Sequence, residues 1–183
     1  MMSDSATKLR DKQKPLKDKY RSDPSSAVVT LTSVGALDAT GLTCSLSTAS
    51  AAKKIAGLHP ATGGAGFDAS GELCSGDMLL EALVACFGVT VKAVSTAMSI
   101  PLEGGSVTAS GDLDFRGTLG IKAEDGSAVP VGFTKIKLDV RLNVADEHKA
   151  SCEKLIQLSE RYCVVLQTLR AGVNIETNLS HGD

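Results

Sequence analysis

The feature that most constrains the fold of this chain is an apolar segment that runs from Gly76 to Ile100. Ser75 precedes it as a candidate helix N-cap, and Asp77 places a carboxylate in the first turn, at the positive end of the helix dipole. Pro101 ends the segment. Because nearly every face is apolar, the pattern predicts a central helix that is buried on all sides.

Charges within this segment argue against a membrane span. The uncharged stretch between Glu81 and Lys92 is about half of what a bilayer requires. The N-terminal residues lack the apolar core of a signal peptide. The chain has 5 cysteines, an odd number that argues against a framework of paired disulfides. We therefore expect a cytoplasmic protein whose cysteines are thiols and which does not bind membranes.

Alternating apolar and polar residues predict an antiparallel sheet around the apolar helix. The predicted strands cover residues 28–34, 42–46, 104–117, 133–144 and 173–178. An amphipathic helix is predicted over residues 146–162, and a short second helix is predicted to carry Cys163. The order of strands, buried helix, strands, helices and strand is typical of an α+β fold.

The 183 residues are enough for one domain, which we place at residues 25–183. Residues 1–24 are polar and charged and form an N-terminal arm, either a solvated tail or an element that packs on a partner subunit. Residues 49–75 are predicted to be a long loop of the kind that is often functional. Its glycines lack the lysine and serine that end a phosphate-binding loop.

Composition excludes several classes of function. Aromatic residues make up 3% of the chain, with no Trp, and the net charge is −2, so nucleic-acid binding has neither stacking platforms nor a basic surface. The cysteines form no Cys-x-x-Cys pair and the three histidines are scattered, which argues against a metal site. We predict neither a metal nor a cofactor.

Cys86 and Cys163 are the candidate reactive groups. Taken alone, each is most simply a small, inert core residue. If the two thiols meet in the fold, one can attack a peroxide and the other can resolve the resulting sulfenic acid. Such a thiolate also needs a cation to hold it and a carboxylate to place that cation.

Two segments carry a resemblance to a known family. Leu79-Leu-Glu-Ala-Leu-Val-Ala-Cys86-Phe and Ser159-Glu-Arg-Tyr-Cys163 resemble the OsmC/Ohr family of osmotically inducible and organic-hydroperoxide-resistance proteins. The resemblance implies an intertwined homodimer in which antiparallel sheets wrap two long central helices, with active sites at the subunit interface. It also implies a peroxidase that reduces organic hydroperoxides: Cys86 attacks, Cys163 resolves as a disulfide, and a dithiol reopens that disulfide.

The activating residues depart from the family pattern. Family peroxidases carry a glutamate ten residues before the peroxidatic cysteine, and it orders an arginine over the thiolate. Gly76 occupies that position here, with Asp77 next to it and Glu72 as a looser substitute. For the arginine, Arg21 is the first candidate and Arg10 the second.

The sequence allows two interpretations of Cys74 and two of His59. Cys74 is either a neighbour of Cys86 or an ordinary thiol, and His59 either lines the pocket or is structural. Cys44 and Cys152 are interpreted as bystanders.

The missing glutamate also keeps other functions open. The same fold would serve as a non-catalytic dimer that binds a small apolar ligand, or as a slow thiol redox sensor. A structural assembly protein with inert thiols is a third hypothesis.

Overall fold

The computed structural model describes residues 34–37, 44–47, 54–64 and 67–181, together with Thr7, Asp11 and Lys14, which are helical and exposed. The rest of the predicted arm, including Arg10 and Arg21, lies outside the described residues, as do residues 28–33 of the first predicted strand.

The described ranges form six strands and five α-helices. The strands are β1 (Val34–Leu37), β2 (Cys44–Ser47), β3 (Lys54–Gly57), β4 (Leu73–Cys74), β5 (Gly104–Leu113) and β6 (Phe133–Asn143). The helices are α1 (Phe67–Ser70), α2 (Ser75–Ala97), α3 (Phe115–Thr118), α4 (Cys152–Tyr162) and α5 (Val164–Ala171). Short 3-10 helices cover Pro60–Thr62 and Asp146–Ser151.

The strands form two sheets. The first has the order β1-β2-β3-β4, antiparallel except for the parallel pair β3 and β4. The second is the long antiparallel pair of β5 and β6, in which Val107 lies opposite Val140 and Ala109 opposite Leu138. Alternation along both strands places these side chains against the core, while intervening residues such as Thr108 are exposed.

The long helix α2 packs one stripe of side chains into the core. Leu83, Phe87, Val91 and Ser95 recur every four residues and are buried, whereas Val89 on the other side is 72% exposed. The expectation of burial on all sides is therefore wrong for a single chain, because β5, β6, α4 and α5 cover one side of the helix. By length and composition alone α2 is also long and apolar enough to cross a membrane.

Helices α4 and α5 close the core over α2. Leu155 of α4 and Leu166 of α5 are buried, and Leu166 joins Leu83, Phe87 and Cys163 in one cluster. Ser159 is fully buried and donates its hydroxyl hydrogen to the carbonyl oxygen of Leu155 at 2.7 Å. This bond satisfies a polar group that would otherwise destabilise the core.

Several sequence expectations required correction. Residues 35–37, which lie beyond the first predicted strand, belong to β1, and the loop predicted over 49–75 contains β3, α1 and β4. The predicted N-cap Ser75 is the first residue of α2, and Cys74 is its N-cap. Residues 115–118 form a helix instead of continuing β5, since the carboxylate of Asp114 caps it by accepting from the Arg116 N–H at 2.9 Å.

The predicted last strand is not formed by a single chain. Residues 173–178 belong to no strand among the described residues, and Ile175 is 82% exposed. A strand exists through its hydrogen bonds to a neighbour, and this segment lies against none of the described strands.

Candidate active site

The fold brings Cys86 and Cys163 together. Cys86 lies at the edge of the buried stripe of α2 and is partly exposed, whereas Cys163, in the break between α4 and α5, is completely buried. Cys86 packs against the cluster that contains Cys163, each thiol affects the pKa of the other, and both are free thiols.

The surroundings of Cys86 favour its thiolate. Partial burial would raise the pKa of this thiol, but hydrogen bonds from the Val165 N–H, the Cys163 thiol and the Val164 N–H outweigh it and hold the pKa below the ordinary value of 9.0. These donors are uncharged. The ionising thiol is therefore held by helix N-terminal amides and a second thiol.

The surroundings of Cys163 favour its protonated form. Burial raises the pKa of this thiol above the ordinary value of 9.0, and hydrogen bonding and charge at Cys86 raise it further, against a lowering by the Leu166 N–H. Cys86 therefore ionises first, and Cys163 keeps the proton that it donates to the Cys86 sulfur.

Thr90 has one hydroxyl hydrogen for two acceptors near Cys86. Its hydroxyl oxygen lies 2.8 Å from the Cys86 carbonyl oxygen, one turn earlier in α2. The Thr90 hydroxyl also lowers the pKa of Cys86, with the smallest effect among the groups that do so. We assign the hydrogen to the carbonyl, because that bond has well-formed geometry, and treat the contact with sulfur as secondary.

A cavity of about 410 Å³ borders the core cluster that contains Cys163: Leu83 and Leu166 of that cluster line it, whereas neither thiol does. Its apolar wall also includes Phe133, Ile136, Leu138 and Leu169. Its polar rim includes Lys135, Glu160 and Arg170, and the Arg170 guanidinium lies 3.3 Å from the Glu160 carboxylate. The volume suits a small organic molecule with an apolar body.

Asp77 lies away from Cys86 within the chain. It is exposed in the first turn of α2 and lines a second cavity of about 350 Å³. Two and a half turns of helix, approximately, separate it from Cys86, so the two side chains leave α2 on opposite sides. Its predicted part in activating Cys86 therefore has no support within one chain and stays a prediction, as does that of Arg21, which lies outside the described residues.

The alternative carboxylate and the glycine at the family position also lie apart from Cys86. Glu72 is partly buried, and its side chain lies over Gly57 of β3. A Cβ atom on Gly76 would lie 3.4 Å from the Phe133 ring and 3.6 Å from the Cys74 sulfur, so a side chain at this position would point toward the second cavity.

The second cavity contains His59 and Cys74. The His59 ring stacks on Phe115 with 4.6 Å between centroids, and its Nδ1 accepts from the Ala61 N–H at 3.0 Å. His59 thus caps the 3-10 helix Pro60–Thr62. It also lines this second cavity and is not among the residues that line the first. Cys74 faces this cavity as well, on the side of α2 where Asp77 lies.

Cys152 lies outside the thiol site. Cys152 is partly buried on α4, and its thiol lies 3.6 Å from the His148 carbonyl oxygen. Cys44 lies in β2, paired with Leu37. In the part of the chain that the structure describes, no three His, Cys, Asp or Glu side chains are grouped so that they could hold a metal ion.

The main source of thiolate stabilisation was not predicted from the sequence. The amides of Val164 and Val165 carry no side-chain signal, and Cys163 was expected within a helix. In fact Cys163 is extended, with φ −75° and ψ 110°, and this break frees the two amides. The sequence from Tyr162 to Val165 contains no glycine or proline that would have marked the break.

Comparison with protein-family models places the chain in a family. Residues 68–178 match the model of the OsmC-like proteins, and the match includes both thiols of the site. The chain therefore belongs to the OsmC-like family. None of the curated proteins matches it by sequence.

Solved structures share the fold at low sequence identity. An OsmC-like protein of unknown function from Vibrio cholerae O1 is similar with a TM-score of 0.59 at 13% identity, covering 77% of this chain and 94% of its own. Organic hydroperoxide resistance proteins from Elizabethkingia anophelis and Legionella pneumophila each give a TM-score of 0.54, at 16% and 18% identity. These matches cover 79% and 80% of this chain, and 91% and 93% of theirs.

Proposed function

We propose that this protein is a thiol peroxidase that reduces organic hydroperoxides, with Cys86 as the attacking thiol and Cys163 as the resolving thiol. One observation carries the proposal: the fold packs Cys86 against the cluster that contains Cys163, where the surroundings shift the pKa values of the two thiols in opposite directions. A thiolate beside a protonated thiol is what peroxide attack followed by resolution requires. Membership in a family that includes organic hydroperoxide resistance proteins supports the same chemistry.

The reaction would run in three balanced steps. The Cys86 thiolate attacks the peroxide ROOH and becomes a sulfenic acid, and the leaving alkoxide takes up a proton to give the alcohol ROH. The Cys163 sulfur then attacks the sulfenic acid, forming the disulfide and releasing water. A dithiol reduces this disulfide and is itself oxidised to a disulfide, which restores both thiols.

The proposed substrate class follows from the cavity that borders the core cluster containing Cys163. Its wall of Leu83, Leu166 and other apolar side chains favours an organic hydroperoxide over hydrogen peroxide, because transfer of the apolar group from water stabilises binding. The reductant would approach at Cys86, since the Cys163 sulfur is fully buried. A dithiol reductant fits the cytoplasmic location that we propose for this protein.

We also propose that the working form is an intertwined homodimer. A single chain leaves apolar side chains exposed on α2, such as Val89, and along the C-terminal segment, such as Ile175. A second copy would cover these surfaces and provide a partner for the unpaired segment at residues 173–178. In such a dimer, the N-terminal arm of the second copy would place its Arg21 near the thiols. Asp77 would likewise approach the thiols of the other copy across the interface.

The direct test is consumption of cumene hydroperoxide, followed by stopped flow with dithiothreitol as reductant. The wild-type protein should consume the peroxide rapidly and the Cys86→Ser variant should not. Cys152→Ser is the matched control, because it removes a partly buried thiol that lies outside the site. Equal rates for wild type and Cys86→Ser would remove the proposal.

The uncharged character of the described groups that lower the pKa of Cys86 favours a second candidate. Gly76 stands where the family has its glutamate, so a dimer with slow thiol chemistry, acting as a redox sensor or as a carrier of a small apolar ligand, is the alternative. A peroxide reaction that is slow and does not saturate, together with an apolar ligand that raises the melting temperature, would select it.

A further inference from the structure

The break between α4 and α5 redirects one backbone amide. Cys163 still donates its N–H to the Ser159 carbonyl at 3.0 Å, as in a helix. In a continuous helix the next N–H, that of Val164, would bond to the Glu160 carbonyl. Because Cys163 is extended at this point, the Val164 N–H turns away and the Glu160 carbonyl loses its helical donor.

The side chain of Gln167 takes the place of that donor. Its Nε2 donates to the Glu160 carbonyl oxygen at 2.8 Å in a partly buried position. The Gln167 backbone N–H is meanwhile used within α5, bonding to the Cys163 carbonyl at 3.0 Å. Arg170, one turn further along α5, pairs with the Glu160 carboxylate at 3.3 Å, so two side chains of α5 reach back to the same residue of α4.

The released amide is used at the thiol site. Cys86 packs against the cluster that includes Cys163 and Leu166, on either side of the break, and there the N–H groups of Val165 and Val164 counter the effect of burial on its pKa. Val164 is the first residue of α5, and helix N-terminal amides of this kind have no partner within their own helix. The same N–H group would thus have two possible acceptors, the Glu160 carbonyl and the Cys86 sulfur.

We infer that Gln167 is a positioning residue for the reactive thiol. By occupying the Glu160 carbonyl, its side-chain amide keeps the helix break open and leaves the Val164 N–H directed at Cys86. This role deepens the proposed function and rests on it only in taking Cys86 as the reacting thiol. The predicted consequence is that loss of the Gln167 amide lets α4 and α5 join and draws the donor away from sulfur.

The charged groups near Cys86 are paired or exposed, so the loss of one amide donor should have a measurable effect on the acidity of Cys86. From the α4–α5 side, Cys163 is the titratable group in contact with it, and Glu160 and Arg170 neutralise each other at the cavity rim. The side chains that β5 and β6 turn toward the core are apolar, and Lys137 and Asp139 pair with each other on the exposed face at 2.7 Å. On α2 itself, the charged residues Asp77, Glu81 and Lys92 are exposed.

The test compares Gln167→Met with Gln157→Met in the full chain. Met keeps the length of Gln but has no donor. Gln157 is an exposed Gln of α4 whose Nε2 donates to the Glu153 carboxylate at 3.4 Å, so it controls for the exchange of Gln for Met outside the helix break. Alkylation of Cys86 by iodoacetamide is measured against pH, with the modified peptide identified by mass spectrometry. We expect Gln167→Met to shift the midpoint to higher pH and to slow alkylation at neutral pH about threefold.

Gln157→Met should leave the alkylation profile of Cys86 unchanged. Gln167→Ala provides a second measurement if the Met variant does not fold, as judged by its melting temperature. A Gln167→Met profile that coincides with wild type overturns the inference. Since the readout is alkylation and not peroxide reduction, this result is separate from the outcome of the proposed function.

The variant Val164→Pro tests whether Gln167 acts by keeping α4 and α5 from joining. Proline fits the first helical position, and the extended Cys163 before it suits a residue that precedes proline. Proline has no N–H, so α4 and α5 cannot join, and adding Gln167→Met to this background should shift the alkylation profile no further. If Gln167→Met shifts the profile equally with and without Val164→Pro, Gln167 acts by another route and the inference is overturned.

Discussion

Cys86 packs against the core cluster that contains Cys163, and the two thiols differ in exposure and in acidity. Burial raises the pKa of Cys163, whereas amide and thiol donors lower that of Cys86 against the effect of burial. This asymmetry gives each sulfur a distinct part in the proposed reaction, one as nucleophile and one as proton carrier and resolving group.

The separate roles of the two thiols predict that the Cys86 sulfenic acid accumulates when Cys163 is replaced. With one equivalent of cumene hydroperoxide, Cys163→Ser should oxidise Cys86 at a near-normal rate, because the serine hydroxyl still donates a hydrogen bond. It should then stop at the sulfenic acid, since serine cannot form a disulfide. Mass spectrometry after dimedone labelling should find the adduct on Cys86 in this variant, and a disulfide without adduct in the wild type. A disulfide formed without Cys163 would contradict the assignment.

The effect of Cys163 on the acidity of Cys86 predicts that Cys163→Ala and Cys163→Ser differ in the pH midpoint of Cys86 alkylation. Cys163→Ala removes the donor and should move the midpoint of Cys86 alkylation upward, toward the ordinary thiol value of 9.0. Cys163→Ser should keep the midpoint close to that of the wild type. The rate rises with pH through the midpoint, because the thiolate is the reactive form. Identical profiles for the two variants would show that Cys163 does not stabilise the thiolate.

The same shifts predict how stability depends on pH. The folded pKa of Cys86 is lowered, so its contribution is present above the unfolded value of 9.0 and is lost as pH falls through the folded value. The folded pKa of Cys163 is raised, so its contribution is present below 9.0 and is lost as pH rises through the folded value. Urea denaturation on both sides of this range should therefore show Cys163→Ser, which keeps a donor to Cys86 but removes the buried thiol, losing less stability than wild type at the alkaline end.

The core stripe of α2 predicts a large loss of stability at Phe87. This side chain is 1% exposed, at the centre of the cluster that includes Cys163. Phe87→Ala should lower the free energy of unfolding by about 3–5 kcal/mol, through lost burial and a cavity. Val131→Ala, at a residue that is 74% exposed in a loop, should change it by less than about 0.5 kcal/mol. Urea denaturation measures both, and similar losses would contradict the described core.

The exposed side of α2 predicts a disruptive charge substitution. Val89 is 72% exposed in one chain, so in the proposed dimer it would be buried against the partner. Val89→Asp should then yield monomers, because a carboxylate would lose its hydration at the interface. Val131→Asp should stay dimeric. Light scattering after size-exclusion chromatography gives the mass of each, and a wild-type monomer, or a dimer that survives Val89→Asp, would count against the proposed assembly.

The sequence by itself determined the features that depend on pattern. The apolar run after Cys74 produced the long helix, and the alternation from Ile136 to Leu142 produced β6 with one face against the core. The two cysteine segments also pointed to the family to which the chain belongs. Such signals are local or repeat along the chain, so they can be read without knowing what packs against them.

The tertiary structure decided which groups meet. The break at Cys163 has no proline or glycine to announce it, yet it directs the Val164 and Val165 amides at Cys86 and leaves the Glu160 carbonyl to Gln167. Likewise, α2 is apolar on most sides, but contacts between distant segments determine which stripe is buried within the chain. The acidity of a thiol depends on donors within a few ångströms of its sulfur, and only the packing of α2 against α4 and α5 brings those donors there.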